Sequence, residues 1–222
     1  LKEKRPMNFS NFSRRIRPYI PFTALNIVWR RLDNSTKSIL EVGCGRGQPM
    51  SFINRHKKFY VVGIDIFAPY LRVSQQTNCY DELILADIRK LPFKPKSFDI
   101  ILAMEVLEHL EKEDGERFLE IIEEIAIDQV ILSTPIGKYQ QDHLDGNPYQ
   151  EHKCIWQVEE LQKRGYKLKG TGVIGLPREE VNSGFLKLLR ESVYILGGLF
   201  SYNFPGIACH VVAQKRLKAR KR

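Results

Sequence analysis

Gly43, Gly45 and Gly47 stand at alternate positions behind the apolar run Ser38-Ile-Leu-Glu-Val42, with the Glu41 carboxylate two residues ahead of the first glycine. A glycine has no Cβ to hold a ligand away from the main chain, so this spacing describes a turn that something bound can approach closely. It is not the cradle of a dinucleotide pyrophosphate. That pattern needs glycine at position 48, where the chain has Gln48 followed by Pro49, a residue suited to the first turn of a helix. Two more carboxylates extend the set. Phe59-Tyr-Val-Val-Gly-Ile-Asp65 is an apolar run ending in an acid, placed where a carboxylate takes the two hydroxyls of a ribose. Glu82 to Ile88 repeats the arrangement with Asp87. The chemistry this set suggests is recognition of a nucleoside. Each acid also has a purely local use as a cap or turn former, a use that becomes less persuasive when acids end successive strands.

Positioning these groups requires an open α/β sheet with ligands at the carboxyl ends of its strands. Short apolar runs at Ser38–Val42, 59–65, 82–86, 97–103 and 129–134 suit buried parallel strands. Phe22–Leu32 predicts a helix ending near the turn residues Asp33 and Asn34, and 114–126 predicts an amphipathic helix. Val158–Arg164 predicts a helix stopped by Gly165, Tyr166–Gly175 a strand, and Ile207–Gln214 a last strand returning antiparallel.

Read in order, E-V-G-C-G-R-G from Glu41, V-G-I-D to Asp65, L-A-D-I to Ile88, and L-P-F-x-x-x-S-F-D-I-I-L-A-M-E-V-L-E-H-L from Leu91 resemble the class I S-adenosylmethionine-dependent methyltransferases, most closely the broad type 11 group of small-molecule enzymes. The resemblance covers residues 36 to 135 strongly. It implies a Rossmann-like α/β fold: a seven-stranded, mostly parallel sheet with an antiparallel last strand and helices on both faces. It also implies S-adenosylmethionine as cofactor and S-adenosylhomocysteine as product. By position, Gly43, Cys44, Gly45 and Gly47 would form the turn under the methionine part, with Glu41 holding the turn or the amino group. Asp65 would take the ribose hydroxyls, Ile66 would pack on the adenine, and Asp87 and the backbone of Ile88 would contact its edge. Ala103 and Met104 would line the channel near the reactive methyl.

The sulfonium already makes the methyl group electrophilic, so alignment with the acceptor carries much of the catalysis and a base is needed only for a protonated acceptor. No metal is expected: His143, His152, Asp142 and Asp145 lack regular ligand spacing. The candidate base is His152, in the long polar loop 136–157, with His143, Asp142 and Tyr149 behind it, while pinning the loop to the sheet explains His152 equally well. His109 is a further candidate general base, since an imidazole can accept a proton at neutral pH, but it lies in a string common to the type 11 group whatever the substrate, which favours a structural task. Asn147-Pro-Tyr149 is not the amino-methylating motif of adenine-modifying enzymes, which would follow the fourth strand, where this chain has Ala103-Met-Glu-Val106.

The domain boundaries follow: 1–34 as an amino-terminal helical lid or extension, 35–214 as the methyltransferase domain with an apolar insertion at 182–205, and 215–222 as a basic tail. Within 222 residues of 43% hydrophobic content there is room for one such domain. The formal net charge of +9 sits at the ends, +7 in residues 1–31 and +6 in the tail, leaving 32–214 at −4. RNA methylation through these basic termini is therefore one alternative, and a non-catalytic cofactor-binding partner subunit is another. The favoured acceptor is a small molecule or a lipid-like one, because residues 192–209 form an uncharged run of 18, broken by Gly197-Gly198 and Pro205-Gly206. Phe185–Leu196 is expected to be an amphipathic helix roofing the acceptor pocket, with peripheral membrane contact as its alternative use. Four dispersed cysteines without a C-x-x-C pair, and no secretory leader, make the cytoplasm the expected setting. Cys44 is expected to be a small buried residue and not a nucleophile.

Overall fold

A computed structural model of the chain describes residues 19–137, 145–172, 192–193 and 196–217. Seven strands form one sheet: β1 (Ser38–Val42), β2 (Tyr60–Asp65), β3 (Glu82–Leu85), β4 (Phe98–Met104), β5 (Ala126–Pro135), β6 (Lys167–Thr171) and β7 (His210–Arg216), in the order β3-β2-β1-β4-β5-β7-β6. The first five pair in parallel, while β7 runs antiparallel between β5 and β6. The expected Rossmann-like sheet is therefore present, with its chain reversal at the edge beyond β5.

Alternation along each strand divides the core into two faces. Leu40, Val42, Val62, Ile64, Ile101, Ala103, Val130 and Leu132 point to one side, where α4 (Lys112–Ile125) buries Phe118, Leu119, Ile122 and Ile125. Ile39, Val61, Ile100, Leu102 and Ile131 point to the other, under α1 (Ala24–Trp29) and α2 (Gln48–Ile53), with α3 (Ala68–Gln75) contributing Leu71. α5 (Val158–Lys163) leads into β6. Strands this apolar on both faces are stable only when helices cover both sides.

Several boundaries differ from the sequence expectation. α1 is shorter than 22–32: Phe22 has φ 65°, and Thr23 caps the helix by accepting from the Asn26 amide. α4 stops at Ile125 and Ala126 opens β5 with no intervening loop, a junction apolar alternation could not locate because Ala126 is buried in either element. β6 ends at Thr171, before Gly172 at φ 64°; residues 173–175 lie outside the described residues. β7 starts later and ends later than expected because Pro205–Ile207 form a 3-10 turn and β5 keeps pairing it to Arg216. Lys215 and Arg216 therefore belong to the sheet and not to the basic tail, and Lys215 Nζ lies 2.6 Å from Glu123. Most of the expected 185–196 helix lies outside the described residues, although 196–201 are helical. The lid expected from the amino terminus also falls outside them, up to residue 18.

Candidate functional site

The three glycines behave as their spacing predicts. Gly43, Gly45 and Gly47 take φ of 70°, 54° and 72°, the left-handed region that other L-residues adopt only under strain. They differ in what a side chain would meet. A Cβ on Gly43 would lie 2.5 Å from Val106, and one on Gly47 would crowd Tyr80 and Ser74, whereas one on Gly45 would meet nothing within 4 Å among the described residues. Gly43 and Gly47 are thus required by packing, and Gly45 faces open space above the turn. The turn is held at several points: Ser74 Oγ donates to the Gly45 carbonyl at 2.7 Å, and the Cys44 amide donates to Ile64 at 2.8 Å.

Asp65 lies where β2 ends and is 8% exposed. Its carboxylate accepts from the amides of Gly45 and Phe67, both at 2.8 Å, so it ties the second strand to the glycine turn. Burial raises its pKa, and the backbone donors work against that rise. Glu41 is fully buried and accepts from the Tyr80 hydroxyl at 2.6 Å, while its Oε1 has no hydrogen-bond partner among the described residues. Burial pushes it up to about 8, with the Tyr80 bond opposing and nearby Asp65 reinforcing the rise. Asp87 is engaged by Arg89, whose Nη2 and Nε lie 2.6 and 3.0 Å from it; this contact holds the acid below its ordinary value. Ile66 and Ile88 are half-buried, Ala103 is buried in the core, and Met104 is half-buried at the end of β4. Cys44 is 3% exposed and burial pushes its thiol up, as expected of an inert small residue.

The loop after β5 reaches back to this turn. Arg46 Nη2 pairs with Asp145 at 2.7 Å, its guanidinium stacks over Tyr70 at 4.7 Å, and the Tyr70 hydroxyl also reaches Asp145. Asn147 caps the short turn Pro148–Gln150, which leaves Tyr149 half exposed. His143 and Asp142 lie outside the described residues.

Beyond β4, Glu105 takes φ 53° and its carboxylate is held by Ser133 Oγ at 2.6 Å and His210 Nε2 at 3.3 Å. Burial alone would discharge His210, but its bonds to Cys209 and Glu105 outweigh that and lift it to about 10. Leu107–His109 form a 3-10 turn clamped to the incoming loop. The Glu108 carbonyl accepts from the amides of Lys153 and Cys154, His109 Nδ1 lies 3.0 Å from the Glu151 carbonyl, and Trp156 Nε1 donates to Leu107 at 3.4 Å. This clamp brings the His109 and His152 rings to 5.0 Å, edge on. Burial holds His109 below the ordinary imidazole range, and the contact of its Nδ1 with the Glu151 carbonyl ties the 3-10 turn to the incoming loop. Glu108, buried beside the two rings, is held well above the carboxylate range by burial first and Glu105 second.

Sequence reasoning placed the glycine turn and Asp65 together correctly. It missed Tyr80, Glu105, Glu108, His210, Arg46 and Tyr70. Glu105 and Glu108, the two acids of the E-V-L-E-H string, and Arg46, inside the E-V-G-C-G-R-G string, stood in quoted motifs without a role; Tyr80, His210 and Tyr70 act through contacts across chain crossings.

Comparison with known proteins points the same way as the geometry. Residues 40–131 match the model of a methyltransferase domain family, the type 11 group. A human mitochondrial protein described as arginine-hydroxylase NDUFAF5 is 29% identical over 126 residues, covering 57% of this chain and 34% of that protein. A cattle (Bos taurus) protein described as probable tRNA methyltransferase 9B is 27% identical over 88 residues, covering 40% of this chain and 18% of that one. The chain spans less than half the length of the curated relatives it matches. Among solved structures, magnesium protoporphyrin IX methyltransferase from Synechocystis PCC 6803, with bound S-adenosylhomocysteine, shares the fold at TM-score 0.57 and 14% identity, over 97% of this chain and 90% of that one.

Proposed function

We propose that the protein, whose residues 40–131 match the methyltransferase domain family of the type 11 group, binds S-adenosylmethionine over its glycine turn and transfers the methyl group to a small or lipid-like acceptor. The observation that carries the reading is the turn itself: three left-handed glycines fixed by Asp65 and Ser74, with open space over Gly45 alone. In this reading the methionine part lies over Gly43–Gly45. Asp65 has both oxygens on backbone donors, and it positions the turn while its remaining lone pairs receive the ribose hydroxyls. Asp87, Ile66 and Ile88 border the adenine, and Met104 lines the approach to the methyl.

The lipid-like acceptor is supported by the exposed apolar side chains of 196–207. Leu196, Leu199, Phe200, Phe204 and Ile207 are each about half exposed or more, an unusual concentration of apolar surface on a short segment. Among the described residues no helix is long and apolar enough to cross a membrane, so contact with lipid through this segment would be peripheral. A second reading, RNA methylation, draws on the tRNA methyltransferase relative and on the basic charge near the ends of the chain.

The test is transfer of label from methyl-tritiated S-adenosylmethionine to fractionated cell extract. Label entering organic-soluble or small-molecule fractions in proportion to enzyme supports the reading. Label confined to RNA would replace it with the second, and no transfer to any fraction by protein that binds the cofactor would favour a partner-subunit role.

A further inference from the structure

The clamp between the 3-10 turn Leu107–His109 and the loop 151–156 gathers one carboxylate and two imidazoles that the proposed methyl transfer does not use. One potential ligand atom from each of Glu108, His109 and His152 lies within 4.8 Å of the other two. Three such atoms share a centre within about 3 Å of each, against metal bonds of about 2.0–2.2 Å, a gap that small side-chain rotations close. We propose that Glu108, His109 and His152 form a binding site for one divalent transition-metal cation, of the group that accepts mixed imidazole and carboxylate ligands.

Two independent observations point to a ligand there. Glu108 is 1% exposed, its Oε2 accepts from Thr134 at 3.1 Å, and its buried Oε1 has no hydrogen-bond partner among the described residues. A buried carboxylate in that state is costly unless a proton or a cation satisfies it. The second observation is the orientation of His109. Its Nδ1 faces the Glu151 carbonyl at 3.0 Å, and a carbonyl can only accept, so Nδ1 carries the proton and Nε2 keeps its lone pair. A histidine fixed through one nitrogen by a backbone carbonyl is how metal-ligating imidazoles are usually held. The backbone bonds from Lys153 and Cys154 to the Glu108 carbonyl fix the approach of the second histidine, so the set is built by the fold and not by exposed side chains meeting by chance.

Imidazole and carboxylate together select the manganese, iron, cobalt and zinc group over magnesium or calcium, which favour all-oxygen shells. Three protein ligands leave positions open, the arrangement of sites that bind a further oxygen donor. The cluster follows β4, and Val106, three residues before His109, touches the glycine turn, so those positions lie on the same edge of the sheet. This departs from the sequence expectation of no metal, and it stands whether or not the protein transfers methyl groups.

The test is titration of chelator-treated full chain with Co2+, read by its visible absorption, with Mn2+ and Zn2+ as competitors. The expected result is one saturable equivalent without a thiolate charge-transfer band. Affinity should fall at least about tenfold in His152→Ala and further in H109A/H152A, with far-ultraviolet circular dichroism unchanged in the partly exposed His152 variant. Absence of saturable binding by the wild type would overturn the proposal. So would a thiolate band, or affinity unchanged in His152→Ala.

Discussion

Replacing Glu41 with glutamine should make the protein's stability markedly less sensitive to pH. In the folded chain burial lifts this carboxyl from 4.5 to about 8, with the Tyr80 hydroxyl bond opposing and Asp65 adding to the rise. Between those values the unfolded chain has lost the Glu41 proton and the folded chain keeps it. Unfolding therefore releases a proton, and stability falls as pH rises through this window; below 4.5 the effect is absent, and above about 8 it is complete. At roughly 1.4 kcal/mol per pH unit, the group costs about 5 kcal/mol in full, of which about 3 to 4 kcal/mol develops between pH 5 and pH 8. Glu41→Gln keeps an acceptor for Tyr80 without a titratable proton. Guanidinium unfolding of both proteins at the two pH values isolates the effect, because the other titrating groups cancel in the difference. The wild type should lose several kcal/mol more than the variant. Parallel profiles, agreeing within about 0.5 kcal/mol, would refute the burial argument.

Other contacts carry their own expectations. Asp65→Ala frees the Gly45 and Phe67 amides and should weaken S-adenosylhomocysteine binding at least about tenfold by calorimetry, since hydrogen bonds to a charged group contribute roughly 1.5–3 kcal/mol; unchanged affinity would remove Asp65 from the site. A Cβ on Gly115 would lie 2.7 Å from Trp156 Cζ2, so Gly115→Ala should cost about 1–3 kcal/mol by overpacking. Most of that cost should vanish when Trp156 is also made leucine, and an additive double-mutant cycle in denaturant melts would contradict the contact. Arg46→Ala removes a half-exposed pair with Asp145, so thermal stability should shift by no more than about 1 kcal/mol. The same change should raise the dissociation constant for S-adenosylhomocysteine several-fold by loosening the loop over the turn, and an unaltered constant would show that this loop does not help to form the site.

The glycine turn and its tie to Asp65 were legible because their geometry is local. Gly43, Gly45 and Gly47 encode a left-handed turn in five residues, and Asp65 marks the end of the next apolar strand, so order along the chain suffices to bring them together. Tyr80 on Glu41 was not legible: a tyrosine beyond α3 gives no sign of which buried acid it will meet. Nor was the pairing of Asp145 with Arg46, 99 residues apart. The second end of the site failed differently. His109 and His152 were each singled out, one as structural and one as a candidate base, but their meeting depends on backbone bonds between 108–109 and 151–154 that no periodicity records. Glu108 looked like part of a generic string, and its burial, with one oxygen unpartnered among the described residues, sets it apart. The extension of β7 into the basic tail was hidden because Lys215 and Arg216 read as solvated charge, whereas Glu123 gives Lys215 a partner across the sheet edge.

The most direct measurement of the central claim is calorimetric titration of S-adenosylhomocysteine into wild type and Gly45→Asn. Asparagine tolerates the left-handed conformation at φ 54°, and its Cβ would meet nothing within 4 Å among the described residues, so the fold should survive. One site of micromolar affinity in the wild type, weakened at least about tenfold in a variant with an unchanged melting temperature, is the predicted result. Equal affinity in the two proteins, or no binding by folded wild type, would contradict the assignment of the glycine turn as the cofactor cradle.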